Sequence, residues 1–309
     1  MPTRESVLQP NVAIPMPDMV NPFDLAGRWY KANLHTHTTA SDGQATLDHR
    51  VQQYRRAGYA VLAITDHGAA IDVAGLSDRR MLVLGGLEYH PSGPRSQLYH
   101  LIGLNVPRGF SVRNAEDANA GIAGVAAAGG ATVLAHPSWC GMGYEDFADL
   151  RGLVALEVYN ATCDRHARAS SESEWAIAMD RGMFLPGVGV DDTHLADSGD
   201  VFEAWTWLKM PALSAANVLK AIGTGACYAT RGPKVHYFGI SGGKVRLRCS
   251  PAACIHLVGG PGQGRRRLAD AGKAVAALTM PVPDWPYVRA IVTAPDGRRA
   301  WTNPIRLRK

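Results

Sequence analysis

Short apolar runs alternate with helix-compatible stretches between about residues 28 and 230. Seven runs read as strands: Tyr30–Leu34, Ala60–Thr65, Met81–Leu87, Leu98–Leu104, Ala131–Ala135, Leu153–Tyr159 and Met183–Val190. Several are apolar at every position, the pattern of parallel strands buried on both faces. Between them, Thr46–Ala57 carries Leu47, Val51 and Tyr54 at helical spacing, and Ser111–Ala128 is rich in alanine. His166–Arg181 continues the alternation, and Ser214 is a candidate N-cap for a helix over Ala215–Ile222. This order predicts an α/β fold built on a parallel sheet or barrel.

After Gly232 the period changes. Val245–Cys249 alternates apolar and basic residues, and Tyr287–Ala294 is a strand-like run followed by the turn residues Pro295, Asp296 and Gly297. The pattern predicts three parts: an extended, proline-rich N-terminal arm over 1–27, an α/β domain over 28–230, and a small antiparallel β module over 231–309.

Composition narrows the class. The 309 residues are 46% hydrophobic and 19% charged, as in globular α/β proteins. No run approaches the ~20 apolar residues of a membrane span, so no membrane role is expected. The five cysteines are odd in number and form no Cys-x-x-Cys pair, which predicts reduced thiols and a cytoplasmic location. The net charge of +5 hides a split: residues 1–230 hold 17 Lys/Arg against 24 Asp/Glu, whereas 231–309 hold 15 against 3. A basic tail of this kind can serve anions. No aromatic-interleaved RNA motif accompanies it, so a small anionic molecule is favoured as partner over nucleic acid.

The candidate chemistry gathers at the ends of the runs. His35 and His37 stand two apart at the end of the first run, so on a strand both imidazoles face one spot. The later runs bring Asp66 and His67, then Glu88, His100, His136, Asn160, and finally Asp192 and His194. In α/β barrels the C-terminal strand ends carry the active site. A mixed His/Asp/Glu set without thiolates suits a hydrolytic cluster of Zn, Fe or Mn rather than a structural zinc. His100 is the exception in placement, since it begins its run; a strand of opposite sense, or a loop just before the strand, would bring it to the same rim.

The segments NLHTHTTASDG, LAITDHG, GLEYH, YHLIGL, LAHPSW, LEVYN and GVDDTH resemble, in order and spacing, the polymerase and histidinol phosphatase (PHP) superfamily over about 170 residues. The resemblance implies a distorted seven-stranded (β/α)7 barrel binding two or three divalent ions (Mn, Zn or Fe). It implies that His35, His37, Glu88 and Asp192 surround the first ion, and that Glu88 bridges to a second ion held by His100 and His136. Asp42, His67 and His194 would hold a third; Asp42 stands where some members have histidine. TGACYATRGP, CSPAACIHLVGG and AWTNPIRL resemble the tail of the carbaryl-hydrolase-like branch of the same superfamily.

The expected function is a phosphoesterase acting on a small phosphorylated substrate through a hydroxide bridging two ions, with His37, Asp192 and His194 central to catalysis. Arg165, Arg168, Arg231 with Lys234, and His90 are the candidates for substrate contact. Glu157 and Asn160 either join the site or make ordinary strand-end hydrogen bonds. Asp66 is a candidate to orient an imidazole, and His49, His166, His236 and His256 are read as ordinary surface or core residues. Two other readings stand beside this one. With the same ions the enzyme would cleave an aryl carbamate, ester or amide, favoured by a cleft lined with Trp139, Trp205 or Trp207. Alternatively, the domain is a non-catalytic scaffold, against which the full ligand set argues.

Overall fold

The computed structural model describes residues 19–95, 97–113 and 117–307; most of the N-terminal arm therefore lies outside the described residues. The seven runs appear as β1 (Arg28–Asn33), β2 (Val61–Ile64), β3 (Leu82–Tyr89), β4 (Leu101–Leu104), β5 (Ala131–Leu134), β6 (Leu153–Asn160) and β7 (Gly187–Val190). They form one sheet in sequence order. β2, β4, β5 and β7 are buried at every position, as runs without alternation require.

Helices pack outside this sheet. α1 (Leu47–Arg56) begins where the Thr46 hydroxyl accepts from the His49 N–H, and it buries Val51 and Tyr54. α2 is shorter than the Ser111–Ala128 stretch suggested: it spans Ala118–Ala127, because the Asp117 carboxylate caps the Ala120 N–H. The stretch over His166–Arg181 likewise splits. Thr162–His166 forms a 3-10 turn that ends at Ala167 in the left-handed region, with φ +56, and the helical part is Glu172–Asp180.

The sense of one strand departs from a simple parallel barrel. β1–β2–β3 and β5–β6–β7 pair in parallel, but β4 is antiparallel to both β3 and β5. An antiparallel strand presents its beginning where its neighbours present their ends. His100, just before β4, therefore joins the same rim. At that rim β7 and β1 meet: the Asp192 N–H donates to His35 O and the His37 N–H donates to Thr193 O, both at 3.0 Å.

Two further strands were not anticipated. β8 (Trp205–Met210) lies antiparallel to β1, and β9 (Cys227–Thr230) antiparallel to β8. Below the rim Thr206 of β8 bonds both polar groups of Gly189 on β7, so β8 is wedged against the seam. A helix capped by Ser214, Ala215–Gly223, connects β8 to β9.

The C-terminal strands are antiparallel throughout: β10 (Val235–Ser241), β11 (Lys244–Ala252), β12 (Cys254–Val258), β13 (Gly264–Leu268), β14 (Val275–Pro281), β15 (Tyr287–Thr293) and β16 (Arg299–Thr302). β16 pairs with β9, so β13–β12–β15–β16 continue the sheet that holds β1–β7, while β10–β11–β14 form a separate sheet. Leu247, Ile255, Leu257, Val288 and Val292 fill the core associated with these strands.

Candidate metal centre

The first two ligand candidates follow from strand alternation. His35 and His37 leave the end of β1 on one side, fully buried, with their Nε2 atoms 3.1 Å apart. Glu88, near the end of β3, and Asp192, just past β7, complete a tight group. Glu88 Oε2 lies 3.1 Å from His35 Nε2 and 3.2 Å from His37 Nε2; Asp192 Oδ1 lies 3.1 Å from each. A tetrahedral ion with ligand bonds of about 2.0–2.1 Å separates its ligands by little more than this.

Three observations favour a cation here. Asp192 Oδ1 is buried without an aligned hydrogen bond, and so are His67 Nδ1 and His90 Nε2 around the same cluster. Glu88, Asp192 and Glu157 are all buried carboxylates, which require positive charge nearby. The protein also responds electrostatically: burial disfavours charge on His37, yet hydrogen bonds and attraction from Asp192 and Glu88 raise its pKa to about 9. Burial likewise opposes ionisation of Glu88 and Asp192, but the imidazoles around them, His35 foremost, hold both well below the usual carboxylate range.

Glu88 divides its two oxygens. Oε2 serves the first group, and Oε1 lies 2.6 Å from His100 Nδ1 and 3.4 Å from His136 Nε2. Burial lowers the pKa of His100, which keeps its imidazole neutral and available as a donor. Asp42, His67 and His194 form a third group beside His37, with Asp42 Oδ2 at 3.4 Å from His67 Nε2 and 3.3 Å from His194 Nε2. His194 Nδ1 lies 2.8 Å from the Asp192 carbonyl, which leaves Nε2 facing Asp42. The nine candidate ligands fall into overlapping groups: His35, His37, Glu88 and Asp192; His37, Asp42, His67 and His194; and His100 and His136 with Cys140. Two of them adopt backbone conformations unusual for side-chain-bearing residues: φ is +54 at Asp192 and +25 at His136.

Glu157 resolves between its two sequence readings. Its Oε1 lies 2.8 Å from His35 Nδ1, and its Oε2 accepts from the His136 N–H at 3.0 Å and from Asn160 Nδ2 at 2.8 Å. It accordingly fixes the His35 tautomer and links two of the groups. Asn160 also donates to Asp192 Oδ2 at 3.1 Å. Asp66 does not orient an imidazole; it accepts from the Thr38 N–H and from the Thr38 and Ser41 hydroxyls, holding the loop that carries Asp42.

A cleft of about 230 Å³ opens over the cluster, walled by Trp139, Thr162, Cys163, Arg165 and His166. Arg165 is half exposed and lies 3.7 Å from Asp200. His90 packs edge-on against His100, with Nε2 3.5 Å from Glu88 Oε1. The other substrate-contact candidates lie elsewhere. Arg168 reaches back to donate to Ser138 O, and Arg231 lies over the Tyr159 ring and pairs with Glu203. Of the three tryptophans considered, Trp139 alone walls the cleft: Trp205 packs with Lys31, and Trp207 lines a separate groove with Trp29 and Tyr228. His166, read from the sequence as an ordinary residue, lines the cleft and accepts from Trp139 Nε1 at 3.3 Å, and Cys140, not considered there as a ligand, has Sγ 3.6 Å from His136 Nδ1. The four-residue step from His136 to Cys140 was the signal for the second of these.

No protein-family profile matches the chain, and no curated protein matches it. Among solved structures it is similar to a two-domain protein from Bacteroides vulgatus containing a predicted PHP-like metal-dependent phosphoesterase. The identity is 16%, 94% of this chain and 98% of that chain are covered, and the TM-score is 0.50. Partial matches include an amidohydrolase from Chromobacterium violaceum (18% identity, TM-score 0.41), covering 54% of this chain and 89% of that one. Another is the lesion-specific endonuclease PfuEndoQ from Pyrococcus furiosus (12% identity, TM-score 0.44), covering 63% and 56%.

Proposed function

We propose that this chain, whose fold is PHP-like, is a metal-dependent hydrolase and specifically a phosphoesterase acting on a small anionic substrate. The observation that carries the reading is the meeting of His35 Nε2, His37 Nε2, Glu88 Oε2 and Asp192 Oδ1 within 3.1–3.2 Å contacts, with the second Glu88 oxygen turned to His100 and His136. His35, His37, Glu88 and Asp192 would hold one ion, Glu88 with His100 and His136 a second, and Asp42, His67 and His194 a third. Imidazole with carboxylate suits Mn, Zn or Fe. When bound, such ions supply Lewis acidity and activate water near neutral pH.

The protein's own groups do the rest. Glu157 keeps a proton on His35 Nδ1 so that Nε2 stays a donor to metal. Asn160 steadies Asp192 from the side away from His37. Arg165, at the wall of the cleft, offers a guanidinium to a phosphoryl oxygen. His37, Asp192 and His194 carry the reaction because they line the junction of the first and third groups.

A second reading has a specific observation in its favour. Trp139 is 38% exposed at the wall of the cleft and packs against His100 and His136. An aromatic leaving group could stack there, and the C-terminal resemblance to the carbaryl-hydrolase-like branch points the same way. Side-by-side assays of manganese-, zinc- and iron-loaded protein separate the two readings. The substrates are p-nitrophenyl phosphate mono- and diesters, 1-naphthyl N-methylcarbamate and 1-naphthyl acetate, with His37→Ala as blank. Turnover of the phosphate esters alone is expected; turnover of the carbamate or acetate alone would overturn the phosphoesterase reading.

A further inference from the structure

Three of the basic residues of 231–309 line one face of a sheet. β11 runs down the middle of the three-stranded sheet, between β10 and β14. Val245, Leu247 and Cys249 are buried, so the alternating residues Lys244, Arg246 and Arg248 are exposed on the opposite side. The neighbouring strands put polar and aromatic groups beside these cations. Arg248 stands opposite Tyr237, Arg246 opposite Thr279, and Lys244 opposite Ser241. The Arg248 guanidinium lies 5.8 Å from the Tyr237 ring centroid. A shallow cavity of about 380 Å³ is lined by Tyr237, Ser241, Arg246, Arg248 and Thr279.

No Asp or Glu occurs in β10, β11 or β14. Among the described residues, Lys244, Arg246 and Arg248 enter no ion pair, whereas Arg289, Arg298 and Arg299 each pair with a carboxylate. Residues two apart on a strand are about 6.8 Å apart, comparable to the separation of neighbouring phosphates along an extended strand. Three like charges in such a row repel one another, and a polyanion of matching spacing relieves that repulsion. The sequence argued against nucleic acid because no aromatic residues interleave with the basic ones; the fold supplies the ring from the adjacent strand.

We propose that the outer face of β10–β11–β14 binds single-stranded nucleic acid, with Lys244, Arg246 and Arg248 tracking phosphates and Tyr237 stacking a base. The proposal is independent of the hydrolase reading, since none of the metal-ligand candidates belongs to these strands.

The test is fluorescence anisotropy of the full chain with a labelled oligothymidylate of about 15 nucleotides, titrated between about 50 and 200 mM salt. Neutralising three phosphates gives a slope of log affinity against log salt of about −2. The double variant Arg246→Ala, Arg248→Ala is expected to weaken binding at least about tenfold and flatten the slope. Tyr237→Leu is expected to weaken it about fivefold or more with the slope unchanged. All these residues are exposed or half-exposed, so the variants should fold, and hydrolytic turnover should be unaltered. Absence of binding at the lowest salt, or binding that the double variant leaves intact, overturns the proposal. Binding to phosphatidylserine-containing vesicles that falls equally in the double variant, with Tyr237→Leu neutral toward both ligands, also overturns it in favour of a membrane-surface patch.

Discussion

Glu157→Gln tests the organisation of the candidate metal centre more sharply than loss of any proposed ligand. The substitution preserves shape and volume in a site where Glu157 is 1% exposed, so packing should survive. What changes is the donor count. Glu157 faces three donors: His35 Nδ1–H at 2.8 Å, the His136 N–H at 3.0 Å and Asn160 Nδ2 at 2.8 Å. A glutamine has one acceptor oxygen, and its amide group is itself a donor. The backbone N–H of His136 cannot move its hydrogen, so the glutamine oxygen should stay at that end and its amide should turn to His35. His35 can answer only by shifting its proton to Nε2, the atom that faces His37, Glu88 and Asp192. That tautomer cannot ligate metal through Nε2. Outer partners of metal-bound histidine are worth about 10–100-fold in affinity, or about 1.4–2.7 kcal/mol. Competition against a chromophoric chelator would measure the change, and 15N shifts of the His35 ring would report the tautomer. Metal affinity within twofold of the parent, or a His35 still protonated at Nδ1 in the variant, would refute the reasoning.

Three further outcomes are expected. Asp192→Ala or His37→Ala should cut turnover by orders of magnitude with an unchanged circular dichroism spectrum; near-normal rates in either would sink the ligand assignment. In metal-free protein His37 carries a proton up to about pH 9, so its stabilising contribution is full below its unfolded value near 6.5 and is lost as pH rises through 9. Because metal must displace that proton, apparent affinity should rise with pH up to about 9, and calorimetry in buffers of different ionisation heat should register proton release at pH 7. Finally, Gly43→Ala should disturb the third group: a Cβ there would sit 2.6 Å from the backbone carbonyl carbon and oxygen of His37, which cannot swing aside as a side chain could. Thermal denaturation should show a loss of roughly 1–3 kcal/mol, with metal stoichiometry lower than in the parent.

Much of the centre was legible because its logic is local. The pairing of His35 and His37 just past β1 depends only on the two-residue alternation of extended chain, whereas Asp192, with φ +54, departs from it. Fully apolar runs announced the buried strands for the same reason, and Thr46 and Ser214 announced their helices through hydrogen bonds confined to one turn. What remained hidden depends on pairing between distant segments. The place of His100 at the start of its run allowed a reversed strand, but only pairing with β3 and β5 fixes that sense for β4. The role of Glu157 depends on His35, 122 residues away in the chain. Trp205 and Trp207 carried the same chemical promise as Trp139, but β8 alternation turns them toward Lys31 and Tyr228. The chain by itself determined which side chains could bind metal and which strands would carry them. Only tertiary structure decided which of them meet, because strand order and sense are properties of hydrogen bonding between segments, not of any segment alone.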